Sequence, residues 1–373
     1  MKNEPNCRAA AGASNRLGWT ACVLAALTCC GSTIGCGESL REVRETGHSP
    51  AEPAAVAEPA AVADPAAPAE PAAFTVAAVR TGSAVTVVDR LGRRLDLSAL
   101  PQRIVSLSPS LTEILFAIGA GDRLVGATQH CDYPPAAQRV ARVGGGTLES
   151  LNQETILALE PDLVLCKGDS HEPLVRNLER LEIPALALGP ENLGELESHT
   201  RMLGELTGQA EQAEALVDSM ERRIAAVVQR IPSGESPTVF YQVWDEPLMT
   251  AGPGSYIGEL IELAGARNLF ADAEIRYPKV SPEAVVAGNP EVILAPESHA
   301  TPVTVESILS RPGWSAVRAV QENRVYVIDR NHISRCGPRL IDALEEIVDV
   351  LYSEHSAVNV QDGAVESARD AVP

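Results

Sequence analysis

From residue 85 onward, short continuous apolar runs alternate with stretches of helical period. The runs 85–89 and 95–97 flank Arg90-Leu91-Gly92-Arg93 and predict a small hairpin. Residues 103–107 read as a buried strand, 112–118 as a helix stopped by Gly119, and 124–128 as the next strand. Residues 154–159 and 174–181 follow as helices, and 162–165 and 185–188 as strands. Strands that are apolar throughout, rather than alternating, belong to a parallel sheet covered on both faces.

The rhythm changes at 193–230, nearly forty residues of helical character interrupted only at Thr207-Gly208. That is too long for a crossover inside a compact sheet and predicts a connector between two lobes. After Ile231-Pro232-Ser233-Gly234 the alternation restarts and partly repeats. Residues 154–165 align with 283–294: Glu, Ala, Pro and Leu recur in place, and the apolar positions match. A weaker echo sets 113–120 against 259–266. Two echoes in the same order predict two similar lobes. Ligands of open parallel sheets sit beyond the carboxyl ends of the strands and between domains. That rule selects 106–110, 129–133, 166–170, 242–246 and 329–335.

The chain has 373 residues, consistent with two domains, and a formal charge of −20. Such an acidic balance argues against nucleic acid, whose phosphates need a basic stripe. Three Trp, six Tyr and four Phe leave few rings for a planar ligand, so the core must be aliphatic.

The first 36 residues read as an address: Lys2, Arg8 and Arg16, an uncharged stretch over 17–35, then Thr33-Ile34-Gly35-Cys36. A Cys directly after a small residue resembles a bacterial lipobox, with Thr33 where Leu is usual. Interruption by Thr28, Gly31, Ser32 and Thr33 favours cleavage over a permanent membrane span. Residues 51–73 hold twelve Ala, five Pro and four acids, and Ala-Glu-Pro-Ala-Ala-Val occurs at 51–56 and 57–62. Pro at that spacing blocks helix, and little bulky apolar surface is present, so this segment reads as a semi-extended tether. The expected organisation is a signal segment (1–36), tether (37–84), N-terminal lobe (85–192), connecting helical segment (193–231), C-terminal lobe (232–357) and disordered tail (358–373).

Arg103-Ile-Val-Ser-Leu-Ser-Pro-Ser-Leu-Thr-Glu113, Cys131-Asp-Tyr-Pro-Pro135, Pro312-Gly-Trp314 with Arg324-Val-Tyr326, and Arg335-Cys-Gly-Pro-Arg339 stand in this order. Together they resemble the iron–siderophore/cobalamin periplasmic binding proteins over roughly 85–353, and the second and last phrases are most similar to the cobalamin-binding branch. The resemblance implies an α/β fold of two Rossmann-like lobes with parallel sheets, joined by one long helix, with the ligand in the cleft. It implies a monomer that captures cobalamin or a related corrinoid for an ABC permease and ATPase. In such a protein the corrinoid is cargo, not cofactor. Ferric siderophore or haem is the alternative within the family. An α/β enzyme is the distant alternative: no nucleophile elbow, P-loop or Gly-x-Gly-x-x-Gly after a strand is present.

Candidate ligand residues are Ser108, Pro109, His130, Asp132, Tyr133, Lys167, Tyr241, Trp244, Asn331, His332 and Arg335, with Asp169 a lesser one. His130 stands where the cobalamin branch often has an aromatic; its imidazole offers a hydrogen bond or a bond to cobalt or iron. Arg335 can hydrogen-bond amides or phosphate, or pair with a nearby acid. Of Tyr241 and Trp244, periodicity puts one in the core, and Trp244 is the one expected at the ligand; Trp314, in a Pro-Gly turn, reads as packing. Cys131, Cys166 and Cys336 follow strand ends, but without metal-ligand spacing they read as inert thiols. Glu154 and Glu283 each follow a capping position and complement a helix dipole. Their equivalent places on two lobes, and the family's use of such acids in arginine pockets of two permease subunits, imply a docking role.

Overall fold

The structure, a computed structural model, describes residues 78–352 apart from 83, 235 and 298–302. The expected signal segment, Cys36, most of the expected tether and the expected tail lie outside the described residues. The described chain opens with an antiparallel sheet of β1 (Ala78–Thr81), β2 (Ala84–Val88) and β3 (Arg94–Leu97), in that order. Strands β2 and β3 form the hairpin expected from sequence. Strand β1 falls inside the range expected as tether, so the ordered chain starts earlier than residue 85. Three of its four residues are exposed, so it carries no apolar run to announce it.

The N-terminal lobe follows as β4 (Ile104–Ser106), α1 (Pro109–Ala117), β5 (Leu124–Ala127), β6 (Ala141–Arg142), α2 (Gln153–Ala158), β7 (Leu163–Lys167), α3 (Glu172–Arg180) and β8 (Ala185–Leu188). Its strands pair in parallel in the order β6-β5-β4-β7-β8. The connector is two helices, α4 (Leu193–Thr207) and α5 (Ala210–Val228), broken where Gly208 adopts a left-handed φ of +67°. Only glycine takes that conformation without strain. The one long helix that crosses to the second lobe is therefore α5, while α4 stays against β1, β2 and α1.

The C-terminal lobe comprises β9 (Thr238–Trp244), β10 (Met249–Thr250), α6 (Tyr256–Leu263), β11 (Arg267–Asn268), α7 (Pro282–Gly288), β12 (Val292–Pro296), α8 (Val305–Leu309), α9 (Arg318–Gln321), β13 (Val325–Ile328), α10 (Arg330–Ile333) and α11 (Leu340–Tyr352). Strands β11, β9, β12 and β13 repeat the parallel order of β5, β4, β7 and β8; β10 joins β9 antiparallel and makes this sheet mixed. The stronger sequence echo is realised residue for residue, with β7 starting at Leu163 and β12 at Val292.

Each sheet is covered on both faces. Ile156, Val164 and Leu178 fill the outer side of the first lobe, and Phe240, Ile293 and Trp314 that of the second. The inner faces share one core: Ile114 of α1, Leu196 of α4, Leu260 of α6 and Leu344 of α11 belong to a single buried cluster. The lobes are therefore joined by packing as well as by α5, which holds the strand ends of each in fixed register with the other.

Candidate functional site

The carboxyl ends of both sheets meet at a junction rich in ion pairs. Arg335, past β13, reaches across to the first lobe: its Nη1 donates to Glu113 Oε1 at 3.1 Å, Asp132 Oδ1 at 3.1 Å and the His130 carbonyl at 3.4 Å. Arg339 donates from Nη2 to Glu113 Oε1 at 2.7 Å and from Nε to Oε2 at 3.1 Å. Its guanidinium also lies over the Tyr133 ring, 3.8 Å from the centroid. Burial works against the Arg339 charge, but the Glu113 hydrogen bonds and nearby acids outweigh it and leave the guanidinium more basic than usual. A second crossing lies past β8, where Glu191 accepts from Arg90 of its own lobe and from Arg276 of the other.

Several expected residues converge here. Asp132 and Arg335 bond each other, and Tyr133 stays 42% exposed beside them. His130 is exposed at the same rim, with Nε2 3.4 Å from Gln129 Nε2. The Gly144-Gly145-Gly146 loop passes so close that a Cβ on Gly146 would sit 3.2 Å from the His130 ring. Arg142 fixes this loop by donating to the Thr128 and Cys131 carbonyls. Lys167 ends β7 with an exposed side chain; the side chain of Asp169 lies outside the described part. On the second lobe, Trp244 is 55% exposed and donates from Nε1 to the Glu246 carbonyl. Asn331 and His332 lie on α10, half-buried, with His332 Nδ1 3.8 Å from Glu346 Oε2.

Two expectations are corrected. Tyr241 is 1% exposed and packs in the core, because alternation along β9 turns it away from the face that frees Trp244. Its hydroxyl is pushed far above the ordinary range by burial. Ser108 is also buried, at 3% exposed, just past the end of the central strand β4; Pro109 remains half-buried at the first turn of α1. The thiols are buried in separate places. Burial raises Cys166 to about 12 and Cys336 further. Trp314 packs as expected, edge-on to Phe240 with Arg311 over its ring.

Sequence reasoning passed over four residues that build the junction: Glu113, Arg339, Glu191 and Arg276. The signal for Glu113 was present, as the one charged residue of α1, between Thr112 and Ile114. It also passed over Arg311, which donates to Gln242 Oε1 and Asp245 Oδ1 and shapes the rim beside Trp244. Glu154 and Glu283 sit apart from the cleft, both exposed in the first turns of α2 and α7.

Two similar lobes that turn their strand ends toward each other, with aromatic and charged side chains at the seam, define a two-lobed ligand-binding protein. The chain belongs to the periplasmic binding protein family, whose model matches residues 104–331. It is 31% identical over 278 residues to the ABC transporter substrate-binding lipoprotein YvrC of Bacillus subtilis, covering 72% of this chain and 86% of the relative. The Vitamin B12-binding protein of Vibrio cholerae is 30% identical over 251 residues, covering 67% and 89%. Among solved structures, the periplasmic heme-binding protein RhuT from Roseiflexus sp. RS-1 is 28% identical, with a TM-score of 0.60 over 67% of this chain and 98% of that one. No helix among the described residues is long and apolar enough to cross a membrane.

Proposed function

We propose that this protein captures cobalamin or a related corrinoid in the inter-lobe cleft and delivers it to an ABC importer, acting by binding and not by catalysis. The observation that carries this reading is the charge balance at the seam. The two guanidinium charges of Arg335 and Arg339 are matched by the carboxylates of Glu113 and Asp132. What faces the ligand is then a nearly neutral polar surface flanked by the half-exposed rings of Tyr133 and Trp244. Such a surface suits a large ring system fringed with amides. The ligand's flat faces rest on aromatic rings, and its amides exchange hydrogen bonds with Asp132, Asn331 and Arg335. Haem brings two carboxylates and a catecholate siderophore more charge still; each asks for cations not already paired, of which the exposed Lys167 is a candidate.

The B12-binding relative supports the corrinoid reading. Haem is the second reading, favoured by His130 at the rim and by the likeness to RhuT. Cys36 would carry the lipid that anchors the chain as a monomer, with the Ala/Pro stretch holding the lobes off the membrane. Glu154 and Glu283 would seat on the two permease subunits.

Full-length protein incubated with cyanocobalamin, haemin or a ferric hydroxamate and then desalted should retain the corrinoid. Trp244→Ala and Tyr133→Ala should each weaken cyanocobalamin binding about 10- to 100-fold, the range expected for removing an aromatic contact. Retention of haemin with loss of cyanocobalamin would transfer the proposal to haem.

A further inference from the structure

Glu113 is a carboxylate only 3% exposed, in a helix whose neighbouring Leu111, Ile114 and Leu115 are fully buried. A buried charge is tolerated only when its lone pairs are filled, and all three of its side-chain hydrogen bonds come from the other lobe. Neutralising one acid needs one arginine, yet Glu113 takes two. Each arginine then continues to the rim: Arg335 to Asp132 and the His130 carbonyl, Arg339 to the face of the Tyr133 ring. One buried acid thus holds the rim segment 130–133 from beneath, 3.1 Å from Arg335.

The internal duplication supplies a comparison. Glu259 occupies the echoed position on α6 and also crosses lobes, in the opposite direction. Its Oε2 accepts the Leu193 N–H at 2.9 Å, at the first residue of α4. Helix α4 follows β8 directly, whereas the short α10 stands between β13 and α11; Glu259 reaches the first residue of α4, and Glu113 reaches the segment just before α11. Glu259 meets a backbone N–H there; Glu113 meets two guanidinium groups that lead on to the rim. The two share an echoed position and a lobe-joining contact, and they differ in what that contact leads to.

We infer that Glu113 is a positioning residue for the ligand cleft: without touching the ligand, it orients Arg335 directly and Tyr133 through Arg339. This rests on the ligand-cleft reading above. Glu113→Gln keeps the volume and one acceptor and removes the charge; Glu259→Gln makes the same change at the duplicated place. In the full-length protein, Glu113→Gln should weaken cyanocobalamin binding at least tenfold. It should also shift the Arg339 Nε–Hε and Tyr133 ring NMR signals of the ligand-free protein, while Glu259→Gln leaves both unchanged. In a Tyr133→Ala background, Glu113→Gln should cost less than alone, because the part of its effect that runs through Arg339 to Tyr133 is already lost. Unmoved Tyr133 and Arg339 signals in Glu113→Gln would overturn the inference, as would equal shifts in Glu259→Gln or effects that simply multiply. If Glu113→Gln does not fold, Arg339→Lys, which keeps the charge but not the fork, should move the Tyr133 signals, and no movement overturns the inference equally. If wild type binds no probe, the corrinoid reading falls, while the ligand-free NMR comparison still decides the role of Glu113.

Discussion

Two buried histidines are each held as one neutral tautomer. His171 Nδ1 accepts the Lys167 N–H at 3.1 Å, so its Nε2 donates to the Gly146 carbonyl at 3.3 Å. His199 is the reverse: Nε2 accepts from Gly189 N–H and Nδ1 donates to the Glu195 carbonyl. Protonation would turn an acceptor into a donor and set it against a backbone N–H. Burial holds both imidazoles below the ordinary value of 6.5, and Lys167 adds to this for His171. The unfolded chain therefore binds protons first as pH falls below about 6.5, and stability falls with it until the depressed native values are reached. The half-buried carboxyls of Glu259 and Glu346, raised above 4.5 chiefly by desolvation, act in the opposite sense, and stability gains as pH falls through their raised values. The histidine effect is thus a difference between variants. His171→Gln retains a donor and an acceptor without titrating, so between pH 7.5 and 5.5 the wild type should lose about 1–3 °C more in Tm than the variant does. Equal losses in a calorimetric series would show that His171 does not titrate in this range.

At the scale of elements, α2 and α7 are short and depend on their first turns. Asn152 Oδ1 accepts from Thr155 N–H at 3.0 Å, and Ser281 Oγ from Ala284 N–H at 3.2 Å. Helices of this length gain little from propagation and more from capping and packing. Asn152→Ala and Ser281→Ala should each destabilise by about 1 kcal/mol in urea unfolding. Glu154→Ala and Glu283→Ala, one residue into each exposed first turn, should cost less than the caps. A larger loss for the acids than for the caps would make them structural and remove the reason to look for a partner. The connector shows the same local control: a Cβ on Gly204 would lie 2.5 Å from that of Ala213, so α4 and α5 pack closely only because this position is glycine.

For the whole molecule, the continuous inner core and the two lobe-crossing ion-pair clusters make the two lobes one mechanical unit. Glu154 and Glu283 then keep a fixed separation, which the proposed docking on a two-fold transporter would require. Replacing both with Ala should leave cyanocobalamin affinity nearly unchanged. Uptake, or stimulation of the permease's ATPase, should fall sharply and by more than for either single change. Reconstituted transport with the double variant checks this; normal uptake would reduce both residues to helix-dipole complements.

The sequence by itself determined the longer strands and helices and their partial duplication, because each is local, while short or exposed elements such as β1, β6 and β11 left no such run. Apolar runs such as 162–165 and 185–188 mark strands wherever they fold, and Pro-Asp or Pro-Glu before a strand recurs in register at 161–162 and 290–291. It put one of Tyr241 and Trp244 in the core and favoured Trp244 for the cleft. Tertiary structure supplied the reason, through the face of β9 that meets the shared core. It decided also that Ser108 is covered, that β1 exists as an edge strand on α4, and that Arg335 and Arg339 belong to Glu113. Those partners are 222 and 226 residues apart in the chain, a distance no periodicity spans. A buried ion pair leaves only half its signature at either end, and the two halves become one feature when the lobes close on each other.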